Sequence, residues 1–584
     1  MKFRLPFAVA FVAFALFVLL GPLQPYLRET GVLTPFYLTG VSMGELLGRP
    51  CGPLLYVASG LQSSFAIPWL GAILFTVLLV ALAYVQKWAF RVSNVWFGLC
   101  WVVPFALFVN YTQLGYLIYT LKHPAVAFAL PLGFLMAFCL MGLWLRLEDR
   151  RCKLLFVLSV LTLGYWLFGF FGLYAVVLLG FCEGAIGRFG FKGFSSGSGR
   201  GEHFFWGLAL CFGGLLLFAL FQALLPSTYD FEVGNLSFTN NQRDYRIPES
   251  LALVFPSLFA CFRFEGKKWW MTVVAVCFVI AGFVAYNYSF RDPNFLSILR
   301  MKHAAEEGEW EQVLQIARER GEEPTRAQVC LTRLALFKTG RMGDELFAYP
   351  EGSAPYKAPQ NQWLRLMIGP LLYYHYGKLG FAYRWAMEDM VEYGERPAYL
   401  RYLHSVARLN GEEALANRYE RALARTLFYK DVCEREEAEA TSIRPLLNYT
   451  DQLDGDNGLV EFYLLNSFAL SEGGFRELVE LSLMDGLITK NLTGFWPRFM
   501  ALLPTWQGHI PAHYQEAALM VAQLQGGSPI PDLPIAPTVQ QRFQRLVDAS
   551  ARLGDNAANA AALRPEFGDT YWYYYFFVEG LKTN

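Results

Sequence analysis

The residues best equipped for chemistry stand close together: Glu29, Glu45 and Arg49, in the stretch QPYLRETGVLTPFYLTGVSMGELLGRP. A carboxylate can act as general base toward an acceptor hydroxyl. An arginine can grip a phosphate through paired hydrogen bonds. No D-x-D or D-E pair occurs in this stretch, and Glu45 would serve equally well as the cap or solvated face of a short helix. A second polar stretch, PSTYDFEVGNLSFTNNQRDYRIPE, adds Asp244 and Arg246 as candidate substrate contacts. Polar loops of this length commonly carry function.

Other motifs carry less. GHIPAHYQEA sets His509 and His513 four apart with Glu516 nearby, but Pro511 intervenes and the general base of H-E-x-x-H is missing. LDGDNGLVEF contains Asp454 and Asp456 without the spacing of a calcium loop, and reads as a turn with a helix cap. GSGRGEH is glycine-rich but lacks the G-K-[ST] ending of a phosphate loop. The ten cysteines include no C-x2-C pair, and most lie in apolar runs as small hydrophobes. Cys330 and Cys433 stand far apart, and their spacing pairs nothing. No metal site and no cofactor is expected.

The candidate residues must be positioned by apolar elements. The chain has 584 residues and no net charge, but the charges are divided. Residues 1–290 hold 19 basic and 11 acidic residues, a net of +8, and the remainder is −8. This predicts an all-α protein with a transmembrane bundle over 1–290 and a soluble helical domain over 291–584. About nine apolar runs occur in the first half. They begin with MKFRLPFAVAFVAFALFVLLGPL and end near Trp269–Tyr286. The first lacks an A-x-A-like cleavage site and reads as an uncleaved span rather than a signal peptide. Several runs reach the roughly 20 residues a span needs, while others are short. Placing the N-terminus inside puts 14 basic residues in inner segments and 5 in outer loops, the bias expected of a membrane protein. The tail then lies outside the cytoplasm. Ile247–Phe264 contains Pro256 and Arg263; failure of that run to cross would reverse the side. The two polar stretches become outer loops, and Leu54–Leu61 suits a helix lying flat at the interface. The acidic tail would repel a nucleic-acid backbone, so no nucleic-acid partner is expected.

Within the tail, helices come in pairs broken by glycine, at Gly308 and Gly340 for example. The L-G-x-x-Y element in LGFAY (Leu379–Tyr383) resembles a tetratricopeptide repeat. That resemblance implies stacked helix pairs offering a surface to a protein partner, or else a rigid spacer. GDTYWYYYFF at the C-terminus reads as a segment docked in the core or as an interfacial one.

GRPCGPLLYVASGLQSSFAIPWLGAIL, LGFAYRWAMEDMVEYGERPAYLRYL, PAHYQEAALM and GDTYWYYYFF together resemble a bacterial multi-spanning envelope-protein family of unknown function with a tetratricopeptide-like C-terminal half. The resemblance implies an architecture and no catalytic residue. The long first outer loop is also similar to that of membrane glycosyltransferases using polyprenyl-phosphate sugars. There it implies Glu29 or Glu45 as base and Arg49 at the donor phosphate. The leading expectation is an inner-membrane protein presenting a periplasmic repeat platform to protein or envelope partners. The alternative is such a glycosyltransferase, with a polyprenyl-phosphate-linked sugar as ligand.

Overall fold

The computed structural model describes residues 5–38, 43–44, 47–121, 125–189, 200–224, 246–261, 269–319, 323–352, 361–432, 440–447, 460–470, 476–506, 508–527, 533–553 and 558–580. Among these residues the chain is helical, with one isolated antiparallel bridge between Tyr37 and Thr426. It forms two compact units. Unit 1 comprises Met1–Asp292 together with Met390–Ala398 and Arg421–Asp431; unit 2 is the remainder.

In unit 1 the helices are α1 (Leu5–Leu20), α2 (Gln24–Val32), α3 (Gly52–Ser63), α4 (Pro68–Ala89), α5 (Val102–Thr112), α6 (Val126–Trp144), α7 (Arg150–Phe168), α8 (Phe170–Phe189), α9 (Arg200–Leu224), α10 (Arg246–Cys261) and α11 (Trp270–Tyr288). Every apolar run of the first half has a helix. Four helices are long and apolar enough to cross a membrane: Pro68–Ala89, Val126–Trp144, Arg151–Phe168 and Trp270–Tyr288. The pair Leu5–Leu20 and Gln24–Val32, bent by 73°, makes a fifth if it counts as one span. The expected nine spans therefore become four or five by length and composition among the described residues. The rest are shorter apolar helices, Phe97–Thr112, Phe170–Ala185, His203–Leu217 and Ile247–Phe259. One break is visible in the backbone: Gly169, at φ 55°, separates α7 from α8 in a conformation that suits glycine.

Side-chain contacts fix how these helices run. Phe97 meets Tyr84 while Phe108 meets Phe75, so α4 and the Phe97–Thr112 segment are antiparallel. Phe7 meets Phe97 and Phe14 meets Phe108, which runs α1 along that segment. Phe75 packs on Phe128 and Trp88 under Arg146, so α4 parallels α6. Phe171 packs on Phe134 and Glu183 bonds Trp144, so α8 also follows α6. Tyr174 donates to the Leu253 carbonyl at 2.7 Å and Phe259 packs on Phe90, giving α10 the same direction. Trp270 meets Trp96, and Ser289 bonds Thr112 at 3.0 Å, so α11 parallels α5. Unit 1 thus has two distinct ends. One collects Lys87, Arg91, Arg146 and Lys153 with Trp88, Trp96, Trp144 and Trp270. The other collects Tyr26, Tyr111, Tyr116 and Tyr119. The two are called the basic end and the tyrosine end below. α11 leaves unit 1 at the tyrosine end, where Tyr116 donates to Asp292 at 3.3 Å.

Unit 2 is helical among its described residues. It begins with α12 (Pro293–Glu306), α13 (Trp310–Glu319) and α14 (Arg326–Lys338), and continues with α15 (Asn361–His375) and α16 (Leu379–Tyr393). α17 (Pro397–Leu409), α18 (Glu413–Ala424), α19 (Val460–Ala469), α20 (Arg476–Ile488) and α21 (Leu492–Leu502) follow. α22 (Ala512–Gln525), α23 (Pro537–Leu553), α24 (Ala558–Phe567) and α25 (Tyr571–Phe577) complete it. Gly308 and Gly340 end their helices at φ 75° and 67°, the left-handed closure expected there. A buried ion network ties α14 to α19. Arg326 Nε donates to Glu461 at 2.9 Å, Arg333 reaches the same carboxylate at 2.8 Å, and Arg333 also pairs with Glu351. The C-terminal aromatics are docked in the core of unit 2: Tyr571 and Trp572 are fully buried.

Candidate functional site

Glu29 lies on α2, a helix opened by Pro25 just past the bend from α1. Proline suits that position because its missing N–H would have had no helical partner. One face of α2 is pressed into unit 1. A Cβ on Gly31 would stand 2.5 Å from the Ala66 nitrogen, so only glycine permits the approach. Glu29 is completely buried, and the Tyr119 hydroxyl donates to its Oε1 at 2.8 Å. Around it Tyr26 donates to the Tyr111 carbonyl at 3.0 Å and Tyr111 donates to Thr30 Oγ1 at 3.2 Å. Gln62 of α3 closes the set, donating to Thr34 at 3.0 Å and accepting from the Ala127 amide at 2.9 Å. Buried polar groups of this kind specify a unique packing when satisfied. In this arrangement Glu29 accepts a phenolic hydrogen bond.

Arg49 is half-buried in the turn before α3, where its carbonyl accepts from the Gly52 amide at 3.0 Å. Glu45 and Asp244 lie outside the described residues, and of Arg246 only the backbone, at the start of α10, is described. The helix expected over Leu54–Leu61 is present as α3, with Leu54, Leu55 and Ala58 buried against its neighbours and Val57 exposed.

The structure assembles a second ionisable cluster at the basic end. Glu183 of α8, 4% exposed, accepts from Trp144 Nε1 at 3.0 Å and meets His203 Nδ1 at 2.7 Å. Lys153 Nζ stands 3.5 Å from the same carboxylate. Four helices thus converge on one carboxylate. Glycines make the approach possible: a Cβ on Gly207 of α9 would fall 2.5 Å from the Gly184 nitrogen. In sequence these groups are far apart. Their common signal is depth, each standing at the same end of consecutive apolar runs.

The paired histidines separate. His509 is exposed beside Asp344 at 3.5 Å, whereas His513 is buried and bonds Glu516 at 2.9 Å. Glu516 also accepts from the Tyr571 amide at 2.7 Å, so this pair pins α25. Among the described residues no group of three or more histidine, cysteine, aspartate or glutamate side chains could hold a metal. Cys330 is a free buried thiol, and Cys433 lies outside the described residues.

No curated protein and no solved structure is significantly similar to the chain. One family spans nearly its whole length, matching residues 2–578. The chain therefore belongs to DUF6057, a family of unknown function.

Proposed function

We propose that the protein is a multi-pass inner-membrane protein of a bacterial envelope, and that unit 1 holds unit 2 outside the cytoplasm as a tetratricopeptide-like platform for protein or envelope partners. The observation that carries this is the exterior of unit 1. Phe205, Phe212 and Leu216 of α9, Val279 and Phe283 of α11, Leu155 and Leu163 of α7, and Val254 of α10 are each 60–73% exposed. In unit 2 the described large hydrophobics exposed to any such extent are few, Leu470 and Leu524 among them. An apolar surface wrapping several helices suits hydrocarbon, not water. Lys87, Arg91, Arg146 and Lys153 gather at one end, which the positive-inside bias assigns to the cytoplasm. The chain leaves unit 1 at the opposite end.

A lipid-linked glycosyltransferase is the second reading. It needs a base within hydrogen-bond reach of an acceptor hydroxyl. The burial of Glu29 beside the Tyr119 hydroxyl gives this reading less support than the platform. The two separate in cells. Deleting residues 460–584, which lie wholly in unit 2, should reproduce an envelope phenotype of the full deletion, while Glu29→Gln and Glu45→Gln at normal abundance should behave as wild type. Appearance of the deletion phenotype in either glutamine variant, with unit 2 present, favours the enzyme.

A further inference from the structure

Glu183 lies in the packed interior of the basic end, and its two oxygens hold three partners. Oε1 accepts from the Trp144 indole at 3.0 Å and faces Lys153 Nζ at 3.5 Å, while Oε2 meets His203 Nδ1 at 2.7 Å. The ammonium of Lys153 is the counter-charge of an ionised carboxylate, and an ionised carboxylate only accepts hydrogen bonds. The proton of the 2.7 Å contact therefore belongs to the imidazole. Nδ1 carries it, and Nε2 is the nitrogen that gains or loses a second proton. The two helices bearing this contact meet backbone to backbone: a Cβ on Gly180 of α8 would stand 2.8 Å from the Gly207 carbonyl of α9.

Of the side chains in the cluster, histidine alone ordinarily changes its charge between pH 5 and 8. The charged groups that the structure places around His203 are Glu183 of α8 and, across the carboxylate, Lys153 of α7. α6 brings the Trp144 indole, which has no charge. With His203 neutral, Lys153 and Glu183 balance. With His203 protonated, the cluster carries one positive charge. The carboxylate keeps a cation beside it in both states, so neither strands a buried charge without a partner, the costly event in a dry interior. A glutamine at this position would hold the indole and the imidazole without burying a charge at all. An acid, a base and an ammonium gathered within apolar helices suit the loading and unloading of a proton. Exposure also rises outward through the cluster: the side chain of Glu183 is 5% exposed, that of His203 11% and that of Lys153 20%. Lys153 Nζ, 5.1 Å from the centre of the Trp144 ring, carries the cluster toward water.

We propose that His203 and Glu183, with Lys153 at their side, form a proton-binding site of unit 1 that exchanges with the cytoplasm. The inference rests on the membrane reading above, which sets the basic end inside. The ligand is the proton itself. It arrives on His203 Nε2, and Glu183 stabilises the resulting imidazolium through Oε2.

The test uses the full chain in a neutral detergent, with its seven histidines isotopically labelled. Their ring signals are followed by NMR across the range from about pH 5 to 8 in which histidine ordinarily titrates. The His203 signal, identified by its loss in His203→Gln, should titrate within that range. Glu183→Gln should move its midpoint to lower pH by about one unit or more, the effect of removing an opposite charge at contact distance. Lys153→Gln should move it to higher pH, because a like charge is removed. A contact that serves packing alone would show neither movement. Lys153 is partly exposed and lies outside the glycine seam. Its variant therefore reports even where Glu183→Gln or His203→Gln does not fold, and the one signal it moves upward identifies His203. A His203 signal constant across the range, or a midpoint unmoved in either folded variant, would overturn the site. A protein recovered in the soluble fraction without detergent would overturn the membrane reading, and the exchange with the cytoplasm with it. A membrane-bound protein whose His203 does not titrate would overturn the proton site alone.

Discussion

Asp485 shows how much a single buried group can be made to report. It sits on α20, 3% exposed, and burial raises its carboxyl pKa to about 7, with Arg498 pulling the other way. Its Oδ1 has no hydrogen-bond partner, nor has the neighbouring Ser482 hydroxyl. The folded state therefore holds this proton more tightly than the unfolded chain does. Its contribution to stability is full below about pH 4, declines as pH rises toward 7, and stays low beyond. The difference between wild type and Asp485→Asn should follow that course, with wild type losing at most about 4 kcal/mol relative to the variant across the window. Melting curves at pH 4 to 8 check it; a flat difference would mean the carboxylate is solvated. Sequence gave no notice of Asp485, because nothing around it is patterned. Glu29 was legible as a carboxylate in a polar stretch, but its partner Tyr119 stands 90 residues away in sequence. Glu183 was visible within an apolar run, and the convergence of Lys153 and His203 on it was not. Pairings of this kind depend on helix order and direction, which composition does not encode.

At the scale of elements, the apolar runs were legible and their limits less so. A helix stands over each run, since apolar length and the absence of charge are local properties. What local pattern missed was the bend of 73° between α1 and α2. The bend follows Gly21 and is held by α2 packing, as the close approach of Gly31 to Ala66 shows. The pairing of α8 and α9 was likewise hidden. It rests on backbone meeting backbone at Gly180, Gly184 and Gly207, the small-residue approach typical of helices in lipid. Gly207→Val should force the two helices apart and cost about 1–3 kcal/mol, the usual scale of overpacking. It should also weaken the Glu183–His203 contact, which spans the same seam at 2.7 Å. A lower Tm in detergent, with Gly213→Ala unaffected, is the expected result. At Gly213 an added Cβ meets nothing within 4 Å.

At the scale of the molecule, unit 1 takes in Met390–Ala398 and Arg421–Asp431 as well as Met1–Asp292. Three contacts inside unit 1 hold these returning segments. Tyr37 donates to the Glu395 carbonyl at 3.2 Å, Leu38 bonds the Arg425 carbonyl at 3.1 Å, and Arg396 donates to the carbonyls of Leu121 and Tyr393. Arg396 is fully buried. Arg396→Ala should cost about 2–4 kcal/mol through the stranded carbonyls and the cavity. Reduced melting of the full chain checks this, with Arg384→Ala, which removes only a partly exposed pair with Glu388 on α16, expected to cost far less. Helical pattern in the sequence covers the ends of α16, α17 and α18 that these segments contain, but it does not say which unit they join.

The central claim is that a membrane-embedded unit 1 sends the chain out at the face opposite its arginines and tryptophans. The direct measurement is a pair of reporter fusions, one truncated after Glu148 at the basic end and one after Asn584. Each site is tested with a phosphatase active only outside the cytoplasm and with a fluorescent protein that matures only inside it. Fluorescence without phosphatase activity is expected at Glu148, and phosphatase activity without fluorescence at Asn584. The same reporter active at both sites would contradict it.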